Sequence, residues 1–176
     1  SIPHGACASR PGMPHPAILG RRFERPVINL GFSGNGKMEI ELADLLAQLD
    51  PVVYVLDCLP NMNAQAVSQR VEPFVHRLRK SRPQTPILLV EDRSYADSFL
   101  VTAKRKRNQD SRRALKVAWA NLKQAGVTGL HYLEGKGLLG EDGEATVDSS
   151  HPTDLGFVRQ AEAFARVLGP ILSERK

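Results

Sequence analysis

Pro86-Ile87-Leu88-Leu89-Val90-Glu91-Asp92-Arg93-Ser94-Tyr95 is the stretch on which the fold turns. Aliphatic residues in an unbroken row are how a strand reads when both faces of its sheet are covered, and the polar residues after Val90 mark its carboxyl end. Three further runs share this character: Pro26-Val27-Ile28-Asn29-Leu30, Val52-Val53-Tyr54-Val55-Leu56 and Leu130-His131-Tyr132-Leu133. Helical stripes lie between and after them. Val67, Val71, Phe74, Val75 and Leu78 recur at helical spacing, as do Leu115, Ala118, Trp119 and Leu122 ahead of a capping Gly126. Phe157, Ala161, Phe164, Ala165 and Leu168 form a last stripe, and shorter helices are expected at 18–22 and 40–46. Strand followed by helix, repeated, predicts an α/β fold: an open, mostly parallel sheet between two helical layers, joined by right-handed crossovers.

The bulk properties agree with one such domain over residues 1–176. Apolar residues make up 41% and charged residues 24% of 176, ordinary values for a globular chain. No apolar run is long enough for a membrane span, and the start has no basic-then-apolar leader. Cys7 and Cys58 are too few for a disulfide framework or a four-cysteine zinc site, and the histidines show no metal-ligand spacing. The formal charge of +5 is concentrated in residues 104–113, where Lys104, Arg105, Lys106, Arg107, Arg112 and Arg113 face one acid, Asp110. Such a run is expected to be an exposed loop or helix start.

In open α/β sheets the chemistry sits on the loops at the carboxyl ends of the strands. Four such segments carry polar groups: Gly31-Phe32-Ser33-Gly34-Asn35-Gly36, Asp57-Cys58-Leu59-Pro60-Asn61, Glu91-Asp92-Arg93-Ser94-Tyr95, and Asp148-Ser149-Ser150-His151-Pro152 before the last helix. The Asp148-x-x-His151 spacing lets a carboxylate reach the imidazole of its own turn and fix its tautomer, the orienter-and-base half of a triad. The same residues also read as loop polarity ahead of a helix capped by Thr153 or Asp154. Gly31 to Gly36 lacks the Lys-Ser/Thr ending of a P-loop and the spacing of a dinucleotide fingerprint. It can present a backbone N–H to an oxyanion or simply turn the chain, and Asn61 can donate to that oxyanion or cap the next helix. Glu91, Asp92 and Arg93 can line the pocket and bind substrate hydroxyls or form a salt-bridged loop. Cys58 can be a thiol near the site or a small buried hydrophobe.

Taken together, the order and spacing of these segments resemble the SGNH hydrolases, the GDSL-like lipase/esterase family. Asn29-Leu30-Gly31-Phe32-Ser33-Gly34 resembles the block that supplies a backbone-donor glycine, here Gly34. Leu59-Pro60-Asn61 resembles the block that supplies the oxyanion asparagine, with the usual Gly-x-Asn-Asp altered to Leu-Pro-Asn-Met. Asp148 to Pro152 matches the Asp-x-x-His block. For the nucleophile block, Ser1-Ile2 resembles the tail of a Gly-x-Ser-Ile turn, and Ser9 is the competitor within the connection to the first helix. The resemblance implies a flavodoxin-like sheet whose first strand lies upstream of Ser1, and a variant bacterial subgroup in which a β-sandwich accessory domain often precedes the hydrolase.

The resemblance further implies a serine hydrolase of carboxylic esters, acting on short acyl or acetyl esters of carbohydrate-like substrates. Ser1, His151 and Asp148 would form the triad. The Ser1 backbone, Gly34 and Asn61 would form the oxyanion hole. It implies no cofactor, no metal and no nucleic-acid partner. A secreted or periplasmic location is expected if a signal peptide stands upstream. Two other readings stay in view. The same triad passes an acyl group to an alcohol in an acyltransferase. A non-enzymatic binder of nucleic acid or anions would use residues 104–113, although ten aromatic residues, mostly on core stripes, leave few for stacking on bases.

Overall fold

The structure, a computed structural model, describes residues 1–173. Three strands, β1 (Tyr54–Leu56), β2 (Ile87–Val90) and β3 (Leu130–Leu133), form a parallel sheet in the order β1-β2-β3. Tyr54 pairs with Ile87, Leu56 with Leu89, Ile87 with Leu130 and Val90 with Leu133. Parallel neighbours need a long crossover, and helices supply it. In chain order the helices are α1 (His15–Phe23), α2 (Ile40–Leu46), α3 (Ala64–Ser81), α4 (Thr102–Gln124) and α5 (Asp154–Ser173).

The unbroken apolar character of β2 follows from its place between two layers. Its residues are all buried. Ile87 and Leu89 point into a core shared with Val67, Phe74 and Leu78 of α3 and with Leu115 and Leu122 of α4. Leu88 and Val90 point the other way, into a core built with Leu19 of α1 and Phe164 and Leu168 of α5. Alternate side chains of one strand therefore nucleate two cores, which is the expected three-layer α/β/α arrangement.

Local signals place the helix ends. The Asn63 side chain caps α3 by accepting from the Ala66 N–H at 2.8 Å, and thereby leaves Asn61 free of that duty. Gly126, at φ +80, closes α4 as expected, with the Val127 N–H returning to the Leu122 carbonyl at 3.0 Å. Thr153 Oγ1 accepts from the Gly156 N–H at 3.2 Å in the first turn of α5.

Two expectations are corrected. Residues 26–30 are not a strand: they run as coil, with Val27, Ile28 and Leu30 exposed, and the Asn29 side chain holds the Pro3 carbonyl. Apolar residues become a strand only where a neighbour meets their backbone donors and acceptors, and among the described residues no strand flanks this run. The basic run 104–113 is a helix start, one of its two expected forms, but it is not exposed throughout. It forms the first half of α4, where Asn108 and Ser111 are buried on the inward face and Lys104, Arg107 and Arg112 reach into the loops at the strand ends. Polar residues on the inward face hide the helical period from a reading that looks for apolar stripes. Arg105, Lys106 and Arg113 remain outside.

Candidate active site

Ser1 and His151 meet although 150 positions separate them. Ser1 Oγ lies 2.8 Å from His151 Nε2, and His151 Nδ1 lies 2.7 Å from Asp148 Oδ2. The ionised Asp148 can only accept, so Nδ1 carries the ring proton and Nε2 offers its lone pair to the serine hydroxyl. This is the hydrogen-bond order that a serine nucleophile and its base require.

Each partner is held by its own backbone. Ser1 opens a tight turn in which the Gly5 and Ala6 N–H groups both donate to its carbonyl at 3.0 Å, and Ile2 plugs the turn into the core. Asp148 uses its two oxygens differently. Oδ1 accepts from the Ser150 and His151 N–H groups at 2.9 and 2.7 Å, and Oδ2 takes the imidazole. The intervening Ser149 adopts a left-handed φ of +71 to close the turn. Behind it, Thr146 bridges to Pro152, and the Thr153 N–H donates to the Ala145 carbonyl at 3.0 Å. Gly156 permits this seating of the loop on α5, because a Cβ there would fall 2.1 Å from the Ala145 oxygen.

Burial works against the Asp148 charge, but the His151 and Ser150 N–H groups and the imidazole outweigh it and hold the carboxyl at about 2. A carboxylate depressed below its usual value of about 3.9 stabilises the fold above that value and loses the contribution as pH falls through the lower one. The side-chain carboxyl resonance of Asp148 is therefore expected to keep its ionised position on acidification to about pH 4 and to reach the midpoint of its transition only as pH approaches 2. An NMR titration with that transition centred near pH 4 would contradict this.

The other expected residues divide. Asn61 sits at the end of the short 3-10 turn Leu59–Asn61, and its Nδ2 donates weakly to the Gly36 carbonyl at 3.3 Å, facing the glycine loop. Gly34 lies in that loop at φ +92, a backbone that resists a side chain, and the space where its Cβ would stand is open. Ser9 is drawn away from the imidazole: its N–H and hydroxyl both bind the Asp154 carboxylate. Cys58 is no nucleophile at neutral pH, since burial and the Asp57 and Glu39 charges push its thiol up to about 12.

Glu91 and Arg93 do not present themselves to a substrate. Both are 3% exposed. Glu91 accepts from the Tyr132 hydroxyl at 2.7 Å and the Gly135 N–H at 2.8 Å. Arg93 donates to Asp92, to the Ser150 carbonyl at 3.1 Å and to the Ser150 hydroxyl. Side chains that follow a strand end can turn inward as readily as outward, and here buried partners decide. Asp92, read from the sequence with its two neighbours, takes the salt-bridged alternative, while Tyr95, Asn108 and the inward arginines of α4, given no role by the sequence, gather in the same loop cluster. The signal was a charged residue at each strand end opposite a basic helix, but nothing in the spacing says which pairs form.

Among the described residues no cluster of three or more His, Cys, Asp or Glu is placed to hold a metal ion, and no helix is long and apolar enough to cross a membrane. The model of the GDSL-like Lipase/Acylhydrolase family matches residues 1–169. No curated protein matches the chain. Among solved structures, a protein of Bacteroides ovatus ATCC 8483 assigned as a GDSL-like lipase is 38% identical, with a TM-score of 0.95 over 98% of this chain and 51% of its own. The salicylyl-acyltransferase SsfX3 from a tetracycline biosynthetic pathway shares the fold at 20% identity, with a TM-score of 0.77 over 96% of this chain and 51% of its own. The chain thus spans about half the length of both structures.

Proposed function

The chain belongs to the GDSL-like lipase/acylhydrolase family, and from that premise we propose that it hydrolyses carboxylic esters through Ser1, His151 and Asp148. One observation carries the reading: the continuous hydrogen-bond line from Ser1 Oγ through both ring nitrogens of His151 to Asp148 Oδ2. Ser1 Oγ attacks the acyl carbonyl as its proton passes to Nε2. Asp148 holds the ring in register and stabilises the imidazolium without taking the proton. The ester C–O bond breaks as Nε2 returns the proton to the leaving alcohol, and an acyl-Ser1 ester remains. Water then attacks this ester by the same steps in reverse, with His151 again as base. Ester and water balance the reaction with no cofactor.

The developing oxyanion needs preorganised donors. The Ser1 and Gly34 backbone N–H groups and Asn61 Nδ2 are our candidates. Supporting this, Asn63 takes over the helix cap, and the weak 3.3 Å bond of Asn61 to Gly36 is one an oxyanion can replace at little loss. The substrate class proposed is a short acyl or acetyl ester of a carbohydrate-like alcohol. Transfer of the acyl group to an alcohol is the second reading, favoured by the shared fold of an acyltransferase. Binding of nucleic acid through residues 104–113 loses ground, because Lys104, Arg107 and Arg112 already hold Ser149, Asp92 and the Asp92 carbonyl.

The test is a fluorophosphonate probe, which captures activated serines, followed by mapping of the labelled peptide. Label on Ser1, with acetyl-ester turnover that survives a chelator, is the expected result. Label on Ser9 or Ser33, or an unlabelled folded protein, would refute the assignment.

A further inference from the structure

Asp92 is a fully buried carboxylate in the loop after β2, and its two oxygens reach two different parts of the site. Oδ1 takes Arg93 Nη1. Oδ2 takes Arg107 Nη1 at 2.9 Å and Asn108 Nδ2 at 3.0 Å. The far sides of the two guanidinium groups hold different segments. Arg93 Nε and Nη2 bind the carbonyl and hydroxyl of Ser150, the residue next to His151. Arg107 Nη2 binds the Pro60 carbonyl at 2.8 Å and the Met62 carbonyl at 3.3 Å, the two residues that flank Asn61. Asp92 cannot shift beneath them, since its own carbonyl accepts Arg112 Nε and Nη2 at 2.9 and 2.8 Å.

From this arrangement we infer that Asp92, Arg93 and Arg107 are positioning residues that set the place of the general base relative to the oxyanion donor. The inference rests on the esterase reading above and deepens it. His151 and Asn61 sit on segments 90 positions apart, and the Asp92 cluster bonds to a neighbour of each. Apart from one isolated bridge behind His151 and the single 3-10 turn at Asn61, neither segment has a regular ladder to hold it. A guanidinium is planar and its donors point in fixed directions, so two of them joined through one carboxylate span a defined distance. Removal from water strengthens the pairing and makes any unpaired alternative costly. Tyr95 braces the same corner: its hydroxyl bonds Arg107 Nη1 at 2.9 Å, and Arg93 and Arg107 lie over its ring at 5.1 and 5.8 Å.

If Arg107 acts through Asn61, its effect must vanish once Asn61 is gone. In the full chain, Arg107→Lys is expected to lower kcat about 10-fold with KM within about twofold, because misplacement of a reacting group by a fraction of an ångström is felt in the transition state rather than in substrate binding. In an Asn61→Ala background the same substitution is expected to change kcat by less than about twofold. Equal fold losses in both backgrounds, or no loss in the first, would overturn the inference. Should Arg107→Lys fail to fold, Ser150→Ala decides, since it deletes one hydroxyl at the other arm and leaves both carboxylate–guanidinium pairs. A kcat lower by about 5-fold at unchanged KM is then expected, and unchanged kcat would overturn the inference. Absence of turnover and of probe label in the unsubstituted protein would instead refute the esterase function itself.

Discussion

Ser1→Ala and His151→Ala are each expected to lower kcat for an acetyl ester by roughly 10⁴-fold to 10⁶-fold, with the melting temperature close to that of the parent. The size follows from the chemistry. A serine hydroxyl is a poor nucleophile until its proton can leave, and here His151 Nε2 is the group at 2.8 Å that can take it. Removing either partner removes the same step, so the double variant should be no slower than the worse single one. The melting temperature is spared because Ser1 and His151 are only partly buried and neither belongs to the two apolar cores. Hydrolysis of p-nitrophenyl acetate with a thermal melt on each protein makes the check. Turnover in a folded His151→Ala within tenfold of the parent would end the triad assignment.

The second large effect is expected at Asn61. Asn61→Ala should lower kcat by roughly 10²-fold to 10³-fold with little change in KM, the usual cost of one oxyanion donor. The amide is not needed for folding in the way a helix cap is, because Asn63 performs that task, and the bond lost to Gly36 is long. The loss should therefore appear as weakened transition-state stabilisation. Equal kcat in parent and variant would remove Asn61 from the oxyanion hole. A rise in KM at constant kcat would make it a substrate-binding residue instead.

The Asp-x-x-His spacing was legible because all its consequences are local. Asp148 reaches the backbone and ring of its own turn, and no distant residue is needed to form that contact. Ser1 was legible through the resemblance alone. Its contact with His151 bridges 150 positions, and only the folded chain shows that contact and ties Ser9 to Asp154 instead. Arg93 shows the limit most clearly. Its position after β2 could be read, but a charged side chain at a strand end faces substrate or core according to whether a buried partner awaits it, and that partner is Asp92 within a cage drawn from α4.

The α/β class, the apolar stripes of the helices, the Gly126 cap and the polar loops at the strand ends could be read from the residues alone, because apolar period and turn residues act over a few positions. Tertiary structure decided that residues 26–30 lie outside the sheet, that half of the basic run faces inward, and how His151 stands relative to Asn61. Backbone pairing and buried ion pairs depend on partners far away in the chain, and a one-dimensional pattern holds no record of which partner arrives.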